Sequence, residues 1–133
     1  MNPPSPSTTL PAATAPTTKA RGDAAEARAL AHLQGCGLQL VTRNYRTPGR
    51  GGGEIDLVMR DADGTLVFVE VRGRAGAAHG GAGASIGAVK RRRIILAARY
   101  YLLRVHPVPP CRFDVVLIDG DTLQWLPAAF DAS

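Results

Sequence analysis

Two short runs, Glu54 to Arg60 and Leu66 to Arg72, restrict this chain's fold more than any other part of it. Both have strand character, and only Asp61-Ala62-Asp63-Gly64-Thr65 joins them. A link that short, with an Asp-Gly step, makes a hairpin; a parallel crossover needs about a dozen residues or more. Strand side chains alternate in direction. Glu54, Asp56 and Val58 should therefore share one face, with Ile55, Leu57 and Met59 on the other. In the second run Phe68, Glu70 and Arg72 oppose Val67, Val69 and Val71. Centring the loop on Asp63 pairs Arg60 with Leu66, Val58 with Phe68, Asp56 with Glu70 and Glu54 with Arg72.

That register sets two carboxylates face to face, with Cβ atoms ~4.5–5.5 Å apart. Alone they repel; a divalent cation between them reverses the sign. Mg²⁺ is commonly held by one or two carboxylates, waters and a substrate phosphate, and lowers the pKa of a bound water. Arg72, on the same face as Glu70, suits charge developing at phosphorus. The same four residues, Glu54, Asp56, Glu70 and Arg72, also read as a solvated polar face on a half-exposed sheet. Periodicity leaves both readings open.

The flanking elements give a mixed α/β domain. The spacing of Ala27, Leu30, Ala31 and Leu33 predicts a helix from Arg21 to Gln34, ended by Gly35 and Gly37. Glu26, at i−4 and i−7 from Leu30 and Leu33, shares their side of it. Leu38 to Tyr45 reads as a strand and residues 47–53 as a glycine loop. After the hairpin come a Gly/Ala/His-rich stretch (residues 73–85), a helix from Gly87 to Arg104 and strands at Phe113–Ile118 and Thr122–Leu126. The expected domain spans residues 21–127. Residues 1–20, rich in Pro, Thr and Ala, form a disordered tail by composition, and 128–133 form a short C-terminal tail. Trp125, Tyr45 and Tyr101 fit core or edge packing. His32, His79 and His106 have no metal-ligand spacing.

Sixteen Lys and Arg against eleven Asp and Glu give a formal charge of +5, which favours polyanionic partners. Lys90, Arg91, Arg92 and Arg93 crowd the first turns of the second helix, where the helix dipole is already positive. A bound phosphate would compensate both, and Arg74 adds a cation just after the hairpin. A solvated basic face is the alternative. No run approaches the ~20 apolar residues of a membrane span. Two widely spaced cysteines, Cys36 and Cys111, and no signal-peptide stretch point to the cytoplasm and against a disulfide.

Several motifs together carry a resemblance: Gly22-Asp23-x-x-Glu26-x-x-Ala29, Asn44-Tyr45-Arg46, Gly53-Glu54-Ile55-Asp56-Leu57-Val58, Val67-Phe68-Val69-Glu70-Val71-Arg72, Lys90-x-x-Arg93 and Arg112-Phe113-Asp114-Val115-Val116. In this order, over roughly residues 20–126, the chain resembles the YraN-like family of bacterial proteins described as candidate endonucleases. That family is similar to archaeal Holliday-junction resolvases and to the restriction-endonuclease-like superfamily. The resemblance implies an αβββαβ core with a central mixed sheet flanked by helices. It implies a PD-(D/E)xK-like site in which Asp56 and Glu70 hold Mg²⁺ or Mn²⁺, Arg72 takes the basic position and Glu26 assists from the first helix. Lys90 becomes an auxiliary cation under the resemblance, while the charge run itself sets Arg91, Arg92 and Arg93, with Arg74, to hold the nucleic-acid backbone. The implied activity is endonucleolytic cleavage of DNA, branched DNA included, and analogy with resolvases implies a homodimer. Arg72 departs from the signature, whose last position is usually Lys. Buried Lys can lose its proton, whereas Arg in effect cannot. The rival readings are a nucleic-acid-binding protein of the same fold without chemistry, and an accessory subunit whose basic helix docks on an acidic protein.

Overall fold

The computed structural model describes residues 17–73 and 86–132. Residues 1–16, Arg74, His79 and most of the Gly/Ala-rich stretch lie outside them. Along the chain come α1 (Thr18–Gly35), β1 (Gln39–Arg46), β2 (Glu54–Arg60), β3 (Leu66–Gly73), α2 (Ala88–Leu102), β4 (Cys111–Asp119) and β5 (Thr122–Phe130). The five strands form one sheet in the order β1-β2-β3-β4-β5. Only β3 and β4 run parallel, because α2 supplies the crossover between them; the other neighbours are antiparallel. This is a mixed α/β fold consistent with a restriction-endonuclease-like core. Neither helix is long and apolar enough to cross a membrane.

Each face of the sheet buries one helix. On one side Ala29 and Leu33 of α1 pack on Leu57, Met59, Val67, Val69 and Val116. On the other, Ile94, Ala97 and Ala98 of α2 pack on Ile55, Val58, Leu66, Phe68 and Phe113. The expected separation of faces holds along β3. On β2 it breaks at one residue: Ile55 packs with α2, whereas Leu57 and Met59 pack with α1. Between them, Asp56 Oδ2 accepts a hydrogen bond from the Val71 backbone N–H at 2.8 Å. Its side chain thus takes the place of a ladder partner, and the strand turns over there. On β1 the neighbouring Asn44 has φ 53°, a left-handed conformation, between Arg43 paired with Leu57 and Tyr45 paired with Ile55.

The ends of the domain also differ from the sequence expectation. Thr17 Oγ1 accepts from the Ala20 N–H at 3.0 Å and caps α1, so the helix begins before Arg21 and residues 17–20 belong to the fold. At the other end, Pro127 reads as a strand terminator, yet β5 continues to Phe130. It lies at the sheet's edge, where a missing N–H is tolerated. Residues 128–130 are therefore sheet and not tail. Phe130 stacks on Phe113 with centroids 4.9 Å apart. Tyr45 and Tyr101 meet edge to face at 5.2 Å, and Tyr101 also meets Phe68, which fixes both tyrosines as packing residues.

The β1–β2 loop is docked on α2. Thr47 Oγ1 accepts from the Gly53 N–H at 2.8 Å, and Arg93 Nε donates to the Gly52 carbonyl at 3.2 Å. A Cβ on Gly53 would stand 1.8 Å from the Arg93 carbonyl oxygen and 3.1 Å from the Ala97 nitrogen. Both are helix backbone atoms with little room to yield. Gly53→Ala is expected to destabilise the fold by about 2–3 kcal/mol, read as a lower urea midpoint. An unchanged midpoint would mean that the loop does not pack on α2.

Candidate active site

The β2–β3 ladder follows the register expected from the loop, from Arg60↔Leu66 through Leu57↔Val69, and then stops. Asp56 is the next residue of β2. Its carboxylate spans the opening strands to the Val71 N–H, which brings it against the side chain of Glu70. The two carboxyl groups share a hydrogen bond. The expected register placed these residues opposite each other; the ladder ends one pair short of them, and they meet through their side chains instead.

Glu70 is 6% exposed, one of two buried charged residues among those described. Burial first, then the negative charge of Asp56, pushes its pKa up to about 8, while Lys90 pulls it down. Lys90 Nζ of α2 stands 3.5 Å from Glu70 Oε2, and Glu70 Oε1 is buried without a hydrogen-bond partner. Asp56 is also held above the usual carboxylate range, by burial, against the pull of the Val71 N–H and Lys90. Two desolvated carboxylates side by side share a proton or call for a cation.

Glu26 approaches from the α1 side. Its pKa is raised by burial and next by the charge of Asp56; Arg43 opposes this, and Asp23 and Glu54 add to it. Its Oε1 is also buried and unpartnered. Glu26 therefore belongs to the electrostatic neighbourhood of Asp56. Among the described residues, however, no three of His, Cys, Asp and Glu close together as a metal cage. Glu54 pairs across to Arg46 on β1, and the ladder does not reach the expected Glu54–Arg72 pair. Arg43, which the sequence reading passed over, is the cation nearest in effect to Glu26. An exposed arginine on an edge strand carries no signal of its own in the sequence.

On the α2 side, Glu70, Val71, Arg72, Gly87, Val89, Lys90 and Arg93 line an open groove of about 590 Å³. Arg72 lies in it beside Glu70, as its place on the strand requires. Arg91 and Arg92 open instead onto a second depression with Ile95 and Phe130. The basic run thus divides, with Lys90 and Arg93 facing the carboxylates and Arg91 and Arg92 facing away.

Comparison with known proteins agrees with the resemblance. Residues 25–118 match the model of the uncharacterised protein family UPF0102, a span that runs from Glu26 through Asp56, Glu70, Arg72 and Lys90 into β4. A UPF0102 protein of Paracidovorax citrulli is 74% identical over 116 residues, covering 87% of this chain and 86% of its own. One from an Acidovorax species is 68% identical over 121 residues, covering 91% and 92%. One from Methylibium petroleiphilum is 62% identical over 120 residues, covering 88% and 98%. The chain accordingly belongs to the UPF0102 family, the YraN-like family that its motifs resemble.

Proposed function

We propose that the protein is a metal-dependent endonuclease acting on DNA, with Mg²⁺ or Mn²⁺ held by Asp56 and Glu70. The observation that carries this reading is the buried carboxyl pair at the point where β2 and β3 part, with Lys90 at 3.5 Å from Glu70 and Arg72 lining the same groove. A fold gains nothing from burying two acids together; replacing such groups with apolar ones is often stabilising. Their burial side by side suits a ligand that needs both. The donor set fits a hard divalent cation: two carboxylates, one with an unpartnered buried oxygen, leave the remaining positions for water and phosphate oxygens. Such an ion would polarise the phosphate and supply a deprotonated water.

This chain's own residues have separate tasks in that scheme. The Val71 N–H fixes the orientation of Asp56. Lys90 offsets the charge of Glu70, and with Arg72 and Arg93 it gives the groove a cationic wall for a phosphate backbone. Glu26 adds negative potential at Asp56 from the opposite face of the sheet. The test is a titration of Mg²⁺ and Mn²⁺ against duplex, single-stranded and four-way-junction DNA. Cleavage is expected only with metal, and strand cutting that survives Asp56→Ala would sink the assignment.

One residue favours a second reading, binding without cleavage. Arg72 stands where a lysine would be able to give up a proton to activate water. Arg72→Lys is expected to raise the metal-dependent cleavage rate about ten-fold or more, since a positioned ionisable amine contributes on that scale. Should the wild type bind DNA and never cut it while Arg72→Lys cuts, the binding reading holds.

A further inference from the structure

We propose that the outer face of α2 is a docking surface for an acidic amphipathic helix of another protein. Val89, Leu96, Tyr100 and Leu103 are all exposed, at 64, 47, 38 and 71%. Their spacing of seven, four and three residues sets them on one line, because a helix turns every 3.6 residues. That line runs for roughly 20 Å. It lies away from Ile94, Ala97 and Ala98, the residues through which α2 packs on the sheet. By the same geometry Arg92 and Arg99 border one side of the line and Arg93 the other. Leu96, Tyr100 and Leu103 are neighbours along it, and Val89 stands two turns earlier beyond Arg92 and Arg93; an exposed apolar cluster of this kind on a charged helix marks an interaction site.

Charge selects the occupant. The helix sequence, AVKRRRIILAARYYL, contains five basic residues and no acid. A second copy docking α2 against α2 would bring arginines together. The segments of this chain outside the described residues, 1–16 and 74–85, contain no Asp or Glu and offer no complement. Duplex DNA would satisfy the arginines but would leave four apolar side chains facing sugar and phosphate. A helix with its own apolar seam bordered by Glu or Asp satisfies both features. This is the helix-in-groove mode, with flanking charges setting partner choice.

The test uses the full chain and a fluorescein-labelled helical peptide of about three heptads, with Leu at the seam positions and Glu on both flanks. Saturable binding by fluorescence anisotropy is expected, weakened at least about ten-fold by Leu96→Asp, with no binding of a peptide carrying Lys in place of Glu. Leu96 is exposed and does not line the carboxylate groove, so the variant should fold and keep any DNA binding of its own. Equal binding to wild type and Leu96→Asp, or binding of the Lys peptide, would overturn the proposal. In cells, Leu96 replaced by a photo-crosslinking phenylalanine derivative should join to an acidic amphipathic segment identified by mass spectrometry. Crosslinks to DNA or to a second copy, or no crosslink at all, would count against it.

Discussion

Glu70→Gln is expected to make the metal-free protein more stable at pH 8 while lowering metal-dependent cleavage by at least about 10²-fold, the scale of losing one preorganised charged group at a transition state. The two effects have one cause. Glu70 is buried beside Asp56, and its pKa is pushed up to about 8 from an ordinary 4.5. A raised carboxyl binds its proton more tightly folded than unfolded. Its contribution to stability is complete below pH 4.5 and is lost as pH rises through about 8. Between pH 6 and pH 8 the wild type in EDTA should therefore lose about 2 kcal/mol from this group. Gln does not ionise, keeps a hydrogen-bonding oxygen, and removes the loss. Urea midpoints measured at both pH values separate the two proteins.

The same experiment read with cation present examines the site itself. A divalent ion that binds the deprotonated pair stabilises the folded state by an amount that grows with the logarithm of its concentration over its Kd. Mg²⁺ or Mn²⁺ at pH 8 should raise the urea midpoint of the wild type and leave that of Glu70→Gln nearly unmoved. If both respond equally, the ion binds elsewhere, and the carboxyl pair is a strained structural element.

How far the sequence announced this site depends on which interactions are periodic. The hairpin followed from loop length and alternation, and the pairs from Arg60↔Leu66 through Val58↔Phe68 stand as expected. Glu70 faces α2 because Phe68 does. Alternation failed at Asp56, where a side chain takes over a backbone partner and Ile55 crosses to the other face. No repeat in the sequence encodes such an exchange. Asn44 in a left-handed conformation could have hinted at it, since asparagine tolerates that region better than most residues. The converging position of Glu26 depends on α1 packing across the sheet; the helix face it shares with Leu30 and Leu33 hinted at it, and the family resemblance pointed there directly. Long-range polar contacts were equally silent: Arg112 reaches Asp61, which lies 51 residues earlier.

That last network predicts the largest loss of stability. Asp114 is 0% exposed, and both of its oxygens are engaged. Oδ1 accepts from Arg112 Nε at 3.1 Å and from the Ala128 N–H at 2.9 Å. Oδ2 accepts from Trp125 Nε1 at 2.9 Å. Arg112 continues to Asp61 at 2.9 Å and so ties the β2–β3 loop to β4. Asp114→Ala would leave an indole N–H and a backbone N–H without partners, and a guanidinium without its buried counter-charge. Breaking a buried ion pair in this way costs about 3–5 kcal/mol, a large part of the ~5–15 kcal/mol that holds a domain together. Asp114→Asn keeps the shape and one good acceptor, so its loss should be smaller, about 1–3 kcal/mol. Trp125 is the sole tryptophan and lies on the network, so its fluorescence reports the transition directly. The edge strand should loosen first. Ala128 and Trp125 hold β5 to Asp114, whereas Glu70 pairs with Val115 inside the sheet. Hydrogen exchange in Asp114→Asn should therefore quicken along β5 before β3. Protection lost equally from both strands would mean that the network braces the whole sheet, active-site strand included.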